Sequence, residues 1–354
     1  SKSLGNGVDP MEVIDQYGAD ALRYYLTTNS APGQDLRYIP EKVEASWNFI
    51  NKIWNASRFV LMNIDEDMPY TDNFTTDNLA DQWILARLNE VIKVVDENMD
   101  KYELGIAMQK VYDFVWEEFC DWYIEMVKPR LYNEDDTTKA AAVWTLRTVL
   151  IQALKLLHPF MPFLTEEIFC NLQEEEETNM VSQWPLYRAE WNYSAEETST
   201  QTIKEAVRAI RGVRTAMNVP PSKKATVYVV SEDQGLLGIF EHSKSFFATL
   251  GYAGEVMLQK DKTGIAEDAV SAVIPGAVIY MPFADLVDID KEIERLQGEE
   301  KRLAGELARS NGMLNNEKFV SRAPEAKIAE EKAKLQKYTQ MMEQVKARLA
   351  QLQK

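Results

Sequence analysis

The chain has few of the residues on which disulfides, zinc sites and thiol chemistry depend. It contains only two cysteines, Cys120 and Cys170, and only two histidines, His158 and His242, each pair far apart in sequence. Two such cysteines form neither a disulfide framework nor a Cys-x-x-Cys zinc site, so we expect no metal and predict two buried free thiols. Histidine-dependent nucleophilic catalysis is also implausible.

Long apolar runs are missing as well. No apolar run reaches the roughly 18 residues that span a bilayer, and no secretory leader precedes the first predicted helix. We therefore expect a cytoplasmic chain with no membrane partner.

Positive charge is scarce in most of the chain. The formal net charge is -17; residues 1–284 carry 25 Lys and Arg against 43 Asp and Glu, and residues 285–354 carry 14 against 13. Nonspecific binding to nucleic acid needs clustered cations that neutralise phosphates. This balance predicts no DNA partner and leaves the tail as the less acidic region.

The first stretch that carries chemistry is Ser-Lys-Ser-Leu-Gly-Asn-Gly at positions 1–7. A lysine between two small hydroxyl residues, followed by glycines, gives a mobile cation beside backbone amides that can approach phosphate. An ordinary polar loop is the alternative interpretation. Asp9 and Pro10 then predict a capped helix start.

A second motif gives the first one a context. Gly-Ala-Asp-Ala-Leu-Arg at positions 18–23 and Gly-Gln-Asp-Leu-Arg at positions 33–37 follow the loop. Here the sequence resembles the valyl-tRNA synthetase family of class I aminoacyl-tRNA synthetases, whose Lys-Met-Ser-Lys-Ser loop leads into such a helix. The resemblance runs along the whole chain, to the last heptad of the tail.

The resemblance implies that the chain begins inside the signature loop. Ser1, Lys2 and Ser3 would then be the last residues of an ATP-binding loop, with Lys2 stabilising phosphate charge during adenylate formation. The parent enzyme would use ATP to activate valine, transfer it to tRNA(Val) and hydrolyse mischarged threonine. The catalytic and editing units would precede Ser1, so valine and ATP are expected to bind through the missing catalytic domain.

Residues 40–195 show apolar stripes at helical spacing with short connections, which predicts a helical bundle whose third long helix stops near Pro129. In its first helix we expect Val43, Trp47, Ile50, Trp54 and Leu61 to face the core. The opposite face carries amides, cations and a ring, which can hydrogen-bond to and stack on unstacked bases; the candidate anticodon contacts are Asn48, Lys52, Asn55, Arg58 and Phe59. A solvated face with Phe59 packed on the next element is the alternative.

After residue 196 the pattern changes to a small α+β domain. Its first helix and following loop carry a basic row that either contacts tRNA or balances the acidic bundle, namely Arg208, Arg211, Arg214, Lys223 and Lys224. Two heptad patterns in residues 285–354 predict an antiparallel coiled-coil hairpin. The candidate tRNA-arm residues near its tip are Arg309, Asn315, Lys318, Phe319, Arg322 and Lys327.

The predicted fold is therefore mainly α, in four parts. Residues 1–39 form the loop end and connector, 40–195 the anticodon-binding bundle, 196–284 the small α+β domain and 285–354 the arm. The hypotheses are the tRNA-binding part of a valine-specific enzyme, the same part of an isoleucyl or leucyl relative, and a coiled-coil scaffold. By resemblance, the isoleucyl relative usually ends in a cysteine-rich zinc module and the leucyl relative lacks the heptad hairpin. A scaffold has no use for the Ser-Lys-Ser loop, so we favour the first hypothesis and expect a monomer, because the two heptad helices pair within one chain.

We predict that this chain alone shows no valine-dependent exchange of pyrophosphate into ATP, because Lys2 has no adenylate pocket to close over. A radiolabel exchange assay against a buffer blank tests this. Exchange above the blank would mean that an adenylate site lies within these residues.

Overall fold

The structure is a computed structural model that describes residues 7–30, 33, 35–64, 75–173, 176–287, 289–316 and 324–352. Its contacts divide the chain into two compact units. The first is Ser1–Arg208 with Gly238–Gly251, and the second is Ala209–Leu237 with Tyr252–Lys354. The division falls within two helices, so the four-part domain division stays a prediction.

The described part of the first unit is helical. In chain order the helices are α1 (Pro10–Tyr17), α2 (Ala19–Asn29), α3 (Pro40–Leu61), α4 (Leu79–Asp100), α5 (Leu104–Asp113), a π-helix (Phe114–Tyr123), α6 (Ile124–Tyr132), α7 (Lys139–Leu157), α8 (Pro162–Leu172), α9 (Ser194–Ala216), α10 (Gln234–Glu241) and α11 (Lys244–Leu250). Both α9 and α10 cross the division between the units.

Helix starts follow local chemistry. The Asp9 side chain accepts a hydrogen bond from the Met11 N–H, and Pro10 occupies the first turn of α1, as predicted. Asn78 caps α4 in the same way through the Ala80 N–H. Each cap satisfies one of the N–H groups that a helix start leaves without an intrahelical partner.

The apolar stripes of the later bundle helices lie in the core, although Met99, expected in the stripe of α4, is only half-buried. Ile84, Leu88, Val91, Ile92 and Val95 of α4 are buried, as are Val143, Leu146, Leu150, Leu154 and Leu157 of α7. By length and composition alone α7 could cross a membrane, but 78% of its most apolar stretch is buried inside this fold. Its hydrophobicity is accounted for by its place in the core.

The third long helical stretch extends further than its sequence predicts. A stop near Pro129 was expected, but α6 contains Pro129 and continues to Tyr132. Proline removes one backbone donor from the helix. The last turn is nevertheless held, because Arg130 and Leu131 are both buried beyond the proline.

A fully buried carboxylate ties these helices together. Asp81 of α4 accepts hydrogen bonds from both terminal nitrogens of Arg130, at 2.7 and 2.9 Å, and from the Tyr123 hydroxyl at 2.8 Å. The Thr76 hydroxyl supplies a fourth donor at 2.9 Å. Arg130 also bonds to Thr138, just before α7. One ion pair therefore connects the start of α4, the π-helix, α6 and the start of α7.

The second unit contains a four-stranded mixed sheet. Its strands are β1 (Ala225–Val230), β2 (Ala253–Gln259), β3 (Val270–Ile274) and β4 (Ala277–Met281), in the order β2-β1-β4-β3. β1 runs parallel to β2 and antiparallel to β4, and β3 and β4 form a hairpin. Gly276 closes that hairpin at φ 77°, a left-handed conformation that glycine adopts without steric cost. A short helix, α12 (Phe283–Leu286), follows β4.

Two long helices complete the second unit, α13 (Ile289–Leu314) and α14 (Glu325–Leu352). They pack antiparallel, since Ser310 contacts Glu331 at 2.7 Å and Glu300 lies 3.9 Å from Lys346. Leu296, Leu303 and Leu349 are buried between them. The mainly α fold, with a bundle, a small α+β part and a terminal helical hairpin, is thereby confirmed.

We predict that Asp81→Ala lowers the free energy of unfolding by about 3–5 kcal/mol, because it leaves the buried Arg130 cation without its partner. Urea unfolding followed by far-ultraviolet circular dichroism measures this. The matched control is Glu241→Ala, which removes an exposed i,i+3 pair with Lys244 and should change stability little. Equal losses of unfolding free energy in the two variants would mean that the Asp81 network stabilises the fold no more than an exposed ion pair does.

Candidate nucleic-acid interface

The face that α3 turns to the core is not the one its tryptophans suggest. Trp47 and Trp54 were expected inside, but each keeps 41% of its surface exposed. The core face is lined instead by Phe49, Ile53 and Val60 together with smaller side chains, namely Ser46, Ala56 and Ser57. The buried hydroxyls donate to backbone carbonyls one turn earlier, Lys42 for Ser46 and Ile53 for Ser57. The expected core stripe of α3 is therefore wrong at both tryptophans. It is confirmed at Val43, while Ile50 and Leu61 are half-buried.

This arrangement creates an exposed strip that combines aromatic rings with polar groups. We define the α3 outer face as Trp47, Asn48, Asn51, Trp54, Asn55 and Arg58, which project within about 120° of one another at 100° per residue. All are exposed except Asn51, which is half-buried. The Asn55 amide donates to the Asn51 carbonyl at 2.9 Å, so its amide oxygen points away from that bond. The face offers two rings, three amides and a cation.

Lys52 and Phe59 lie at one edge of this face, where α3 meets the neighbouring helical stretch. The Lys52 ammonium is 2.6 Å from an Asp121 carboxylate oxygen and 4.9 Å from the Trp116 ring centroid. The half-buried Phe59 ring lies 5.7 Å from the Lys128 ammonium. Both side chains are held by protein contacts, so an RNA base that bound either one would compete with those contacts.

A packed aromatic cluster supports the outer face from below. Phe49 lies 5.4 Å from Tyr24 and 4.6 Å from Tyr112, and Tyr112 stacks on Trp116 at 5.6 Å between ring centroids. Offset and tilted ring pairs of this kind add to the burial energy. The backbone that carries the outer face therefore rests on a rigid base.

The Gly-Ala-Asp-Ala-Leu-Arg motif positions α2 against the break between α7 and α8. Asp20 accepts hydrogen bonds from the Phe163 and Leu164 N–H groups at the start of α8. Arg23 donates to the carbonyls of Pro159 and Phe160 just before it. Burial raises the pKa of Asp20, while these N–H donors oppose that rise.

A cysteine, a histidine and a glutamate converge beside a 490 Å³ cavity next to α8. Cys170 Sγ lies 3.4 Å from Glu166, and His158 Nδ1 lies 3.9 Å from the same carboxylate. Cys170 is exposed, so the expected burial of both cysteines holds only for Cys120. Desolvation and Glu166 raise the pKa of Cys170, which keeps the thiol protonated and makes it a poor nucleophile. His158 is held structurally, because its Nδ1 is 2.8 Å from the Thr165 hydroxyl, which itself donates to Met161.

Comparison with known proteins gives this geometry a context. Residues 1–38 match the family of class I tRNA synthetases (I, L, M and V), and residues 81–229 match the anticodon-binding domain of tRNA ligase. Residues 288–353 match the valyl tRNA synthetase tRNA binding arm. The chain belongs to the valyl-tRNA synthetase family.

Individual relatives agree with this assignment. The chain is similar to valine-tRNA ligases from Clostridium perfringens (51% identity over 355 residues), Clostridium tetani (52% over 353) and Bacillus cereus strain ATCC 10987 (46% over 356). These alignments cover 99–100% of this chain but only 40% of each relative. A solved ternary complex of Agrobacterium radiobacter K84 agnB2 LeuRS with tRNA and LeuAMS aligns with 54% of this chain and 22% of its own, at 19% identity and a TM-score of 0.43, too weak a likeness to support any statement here.

Some of the remaining candidate residues of this valyl-tRNA synthetase family member lie in the described part of the arm, and the others lie outside the described residues. In the arm, Arg309 near the end of α13, Asn315 just after it and Lys327 near the start of α14 are exposed. Ser1, Lys2, Ser3, Lys318, Phe319 and Arg322 lie outside the described residues. Within the part of the chain that the structure describes, no group of three or more His, Cys, Asp or Glu side chains is arranged to hold a metal ion.

Sequence reasoning missed Trp47 and Trp54 as surface residues, although a signal for them was present. Phe49, Ile53, Ala56 and Val60 recur at i, i+4, i+7 and i+11, which is an equally good helical stripe. It carries less total hydrophobicity than the stripe through the tryptophans. Helical spacing alone does not decide between the two.

We predict that Trp54→Ala lowers the free energy of unfolding far less than Phe49→Ala, for which a buried aromatic ring leads us to expect a loss of about 3–5 kcal/mol. Urea unfolding of both variants provides the comparison. Similar losses would mean that Trp54 packs in the core and that the outer face is misassigned.

Proposed function

We propose that this chain is the tRNA-binding part of an ATP-dependent valine-tRNA ligase and that its partner is tRNA(Val). In this proposal the α3 outer face contacts the anticodon, and the hairpin of α13 and α14 contacts the body of the same tRNA. Lys2 with Ser1 and Ser3 would belong to the loop that closes over ATP in the complete enzyme. We further propose that the protein is monomeric and cytoplasmic.

The observation that carries the proposal is the composition of the α3 outer face. Two tryptophan rings, each 41% exposed, share one solvent-facing strip, and grouped exposed apolar surface of this kind marks interaction sites. Aromatic rings offer stacking surfaces to unstacked bases, and amides offer hydrogen bonds to base edges. Arg58 adds a cation to the same strip. The anticodon loop presents such unstacked bases.

Lys52 and Phe59 have a second task in this proposal. Since Lys52 is paired with Asp121 and packed over Trp116, it holds α3 against the π-helix. Lys128 covers Phe59 and pairs with Glu125. Binding at this edge would exchange protein contacts for RNA contacts. We therefore expect smaller contributions to affinity here than from Trp54 and Asn55.

Substituting Trp54 or Asn55 by alanine should weaken binding of a tRNA(Val) transcript by about 1–3 kcal/mol each, the range for a stacked base or a base-edge hydrogen bond. Filter binding or fluorescence anisotropy measures the dissociation constant. The loss should be smaller with a transcript whose anticodon has been replaced, because those contacts are then already missing.

The matched control is Phe163→Ala, which removes an aromatic ring that is 68% exposed on α8 rather than on α3. It should leave tRNA affinity unchanged. If the parent chain bound cognate and anticodon-replaced transcripts equally well, the α3 outer face would not be an anticodon site.

A further inference from the structure

An arginine in the second unit is buried, and among the residues that the structure describes it has no counterion. Arg214, near the end of α9, is 3% exposed. One terminal nitrogen, Nη2, donates to the carbonyls of Pro220 and Lys223 at 2.9 and 2.7 Å. The other, Nη1, is buried and has no hydrogen-bond partner. Arg214 therefore holds the loop after α9 in place while one of its own donors stays unused.

No carboxylate compensates this cation. Among the described residues, no aspartate or glutamate pairs with Arg214, and the group facing it is the Tyr252 ring, 5.3 Å from the guanidinium carbon. Burial lowers the pKa of Arg214, which reflects the cost of keeping the charge out of water. Buried charges in proteins are normally paired, so this one calls for an explanation.

The surroundings add further positive charge. The Lys224 ammonium also lies close to the Tyr252 ring, 5.4 Å from its centroid. Lys224 is exposed, and Lys223, whose carbonyl Arg214 binds, is half-buried. We call Arg214, Lys223, Lys224 and Tyr252 the Arg214 cluster. It combines a buried guanidinium with two ammonium groups at the surface.

The backbone beside the cluster is strained at Tyr252, which adopts a left-handed conformation at φ 55°, costly for a side chain of this size. Asn218 is also left-handed, at φ 53°, but asparagine commonly adopts this conformation just after a helix end. Asn218 ends α9, where the Val219 N–H returns to the Arg214 carbonyl at 2.9 Å. Tyr252 carries the ring that both Arg214 and Lys224 approach. Strained residues of this kind concentrate where a protein holds a ligand.

We propose that the Arg214 cluster is a subsite for a phosphate group, taken from the ribose-phosphate backbone of bound RNA. Lys223 and Lys224 make the contacts at the surface. Arg214 is a positioning residue: it fixes the loop that carries both lysines and adds an uncompensated positive charge beneath them. This inference rests on the proposed function, since it takes the RNA to be the tRNA that the chain binds. It gives three of the five cations of the basic row a specific role, namely Arg214, Lys223 and Lys224.

Arg208, another cation of the row, packs on an aromatic ring of the protein, as does Lys204 one turn earlier on α9. Arg208 lies 5.5 Å from the Trp122 ring, and the neighbouring Lys204 is buried between Trp83 and Trp122 at 4.9 and 5.1 Å. These cations pack the first part of α9 against α4 and the π-helix. Arg208 therefore differs from Lys223 and Lys224, which lie beside the buried positive charge of Arg214.

The first test is a salt titration of tRNA binding by Lys224→Ala. Losing one phosphate contact should reduce the slope of log affinity against log salt by about 0.7–0.9. The loss should be the same for cognate and anticodon-replaced transcripts, because a phosphate contact carries no sequence information. The matched control is Lys262→Ala, which removes another lysine over a tyrosine ring, 5.2 Å from Tyr280, in the same unit. An unchanged slope for Lys224→Ala, with the parent chain binding tRNA, would overturn the proposal.

The second test uses inorganic phosphate and needs no RNA. The Tm of the parent chain and of the Lys223→Ala/Lys224→Ala variant is measured in sodium phosphate and in sodium chloride at equal ionic strength. A larger phosphate-dependent rise for the parent chain shows that the cluster also takes free phosphate. Equal rises, combined with a reduced slope in the tRNA titration, restrict the site to phosphates presented by RNA.

The two tests separate this proposal from the proposed function. If the parent chain binds no tRNA, the proposed function fails and the phosphate test alone decides whether the cluster is an anion site. Equal Tm rises would then overturn it. Arg214→Lys, which keeps the charge but not the two-carbonyl geometry, provides a further check: it should reduce the salt slope as Lys224→Ala does if Arg214 positions the lysines.

Discussion

The bundle depends on one buried carboxylate. Asp81 is fully buried and accepts hydrogen bonds from Arg130, Tyr123 and Thr76, so every lone pair facing the interior has a donor. Its charge raises the pKa of Tyr123 further beyond the rise that burial causes. A pair of this kind adds little net stability compared with apolar packing, but it tolerates no loss of a partner. It therefore fixes which helices meet and in what register.

A second polar connection gives a physical reason for the family motif near the amino end. Asp20 and Arg23 lie one turn apart on α2 and bracket the same helix break, one accepting from the first N–H groups of α8 and the other donating to the carbonyls just before it. Unpaired backbone groups at a helix end need partners when they are buried. The motif supplies both the acceptor, Asp20, and the donor, Arg23, from a single helix. These hydrogen bonds link α2 to the start of α8 in the bundle.

Much of this fold was predictable, and the failures share a cause. Apolar residues at helical spacing predicted the bundle, and the side chains of α4 and α7 that follow this spacing are buried. On α3 two stripes compete, and the large tryptophans suggested the wrong one, because a residue's size does not reveal whether a binding surface needs it outside. Contacts between distant residues, such as Lys52 with Asp121 or Arg214 with the loop carbonyls, depend on tertiary packing and left no local signal.

The π-helix between α5 and α6 carries a consequence for chain length. In this segment the Ile124 N–H bonds to the Phe119 carbonyl five residues earlier, so each turn holds more residues than an α-helical turn. The number of residues in the π-helix therefore sets the direction in which the side chains of α6 point around the helix axis. Removing a single residue here would rotate Arg130 about the helix axis, away from Asp81. The number of residues in this segment therefore decides whether Arg130 faces Asp81. We expect a deletion in the π-helix to disrupt the buried ion pair more than a substitution does.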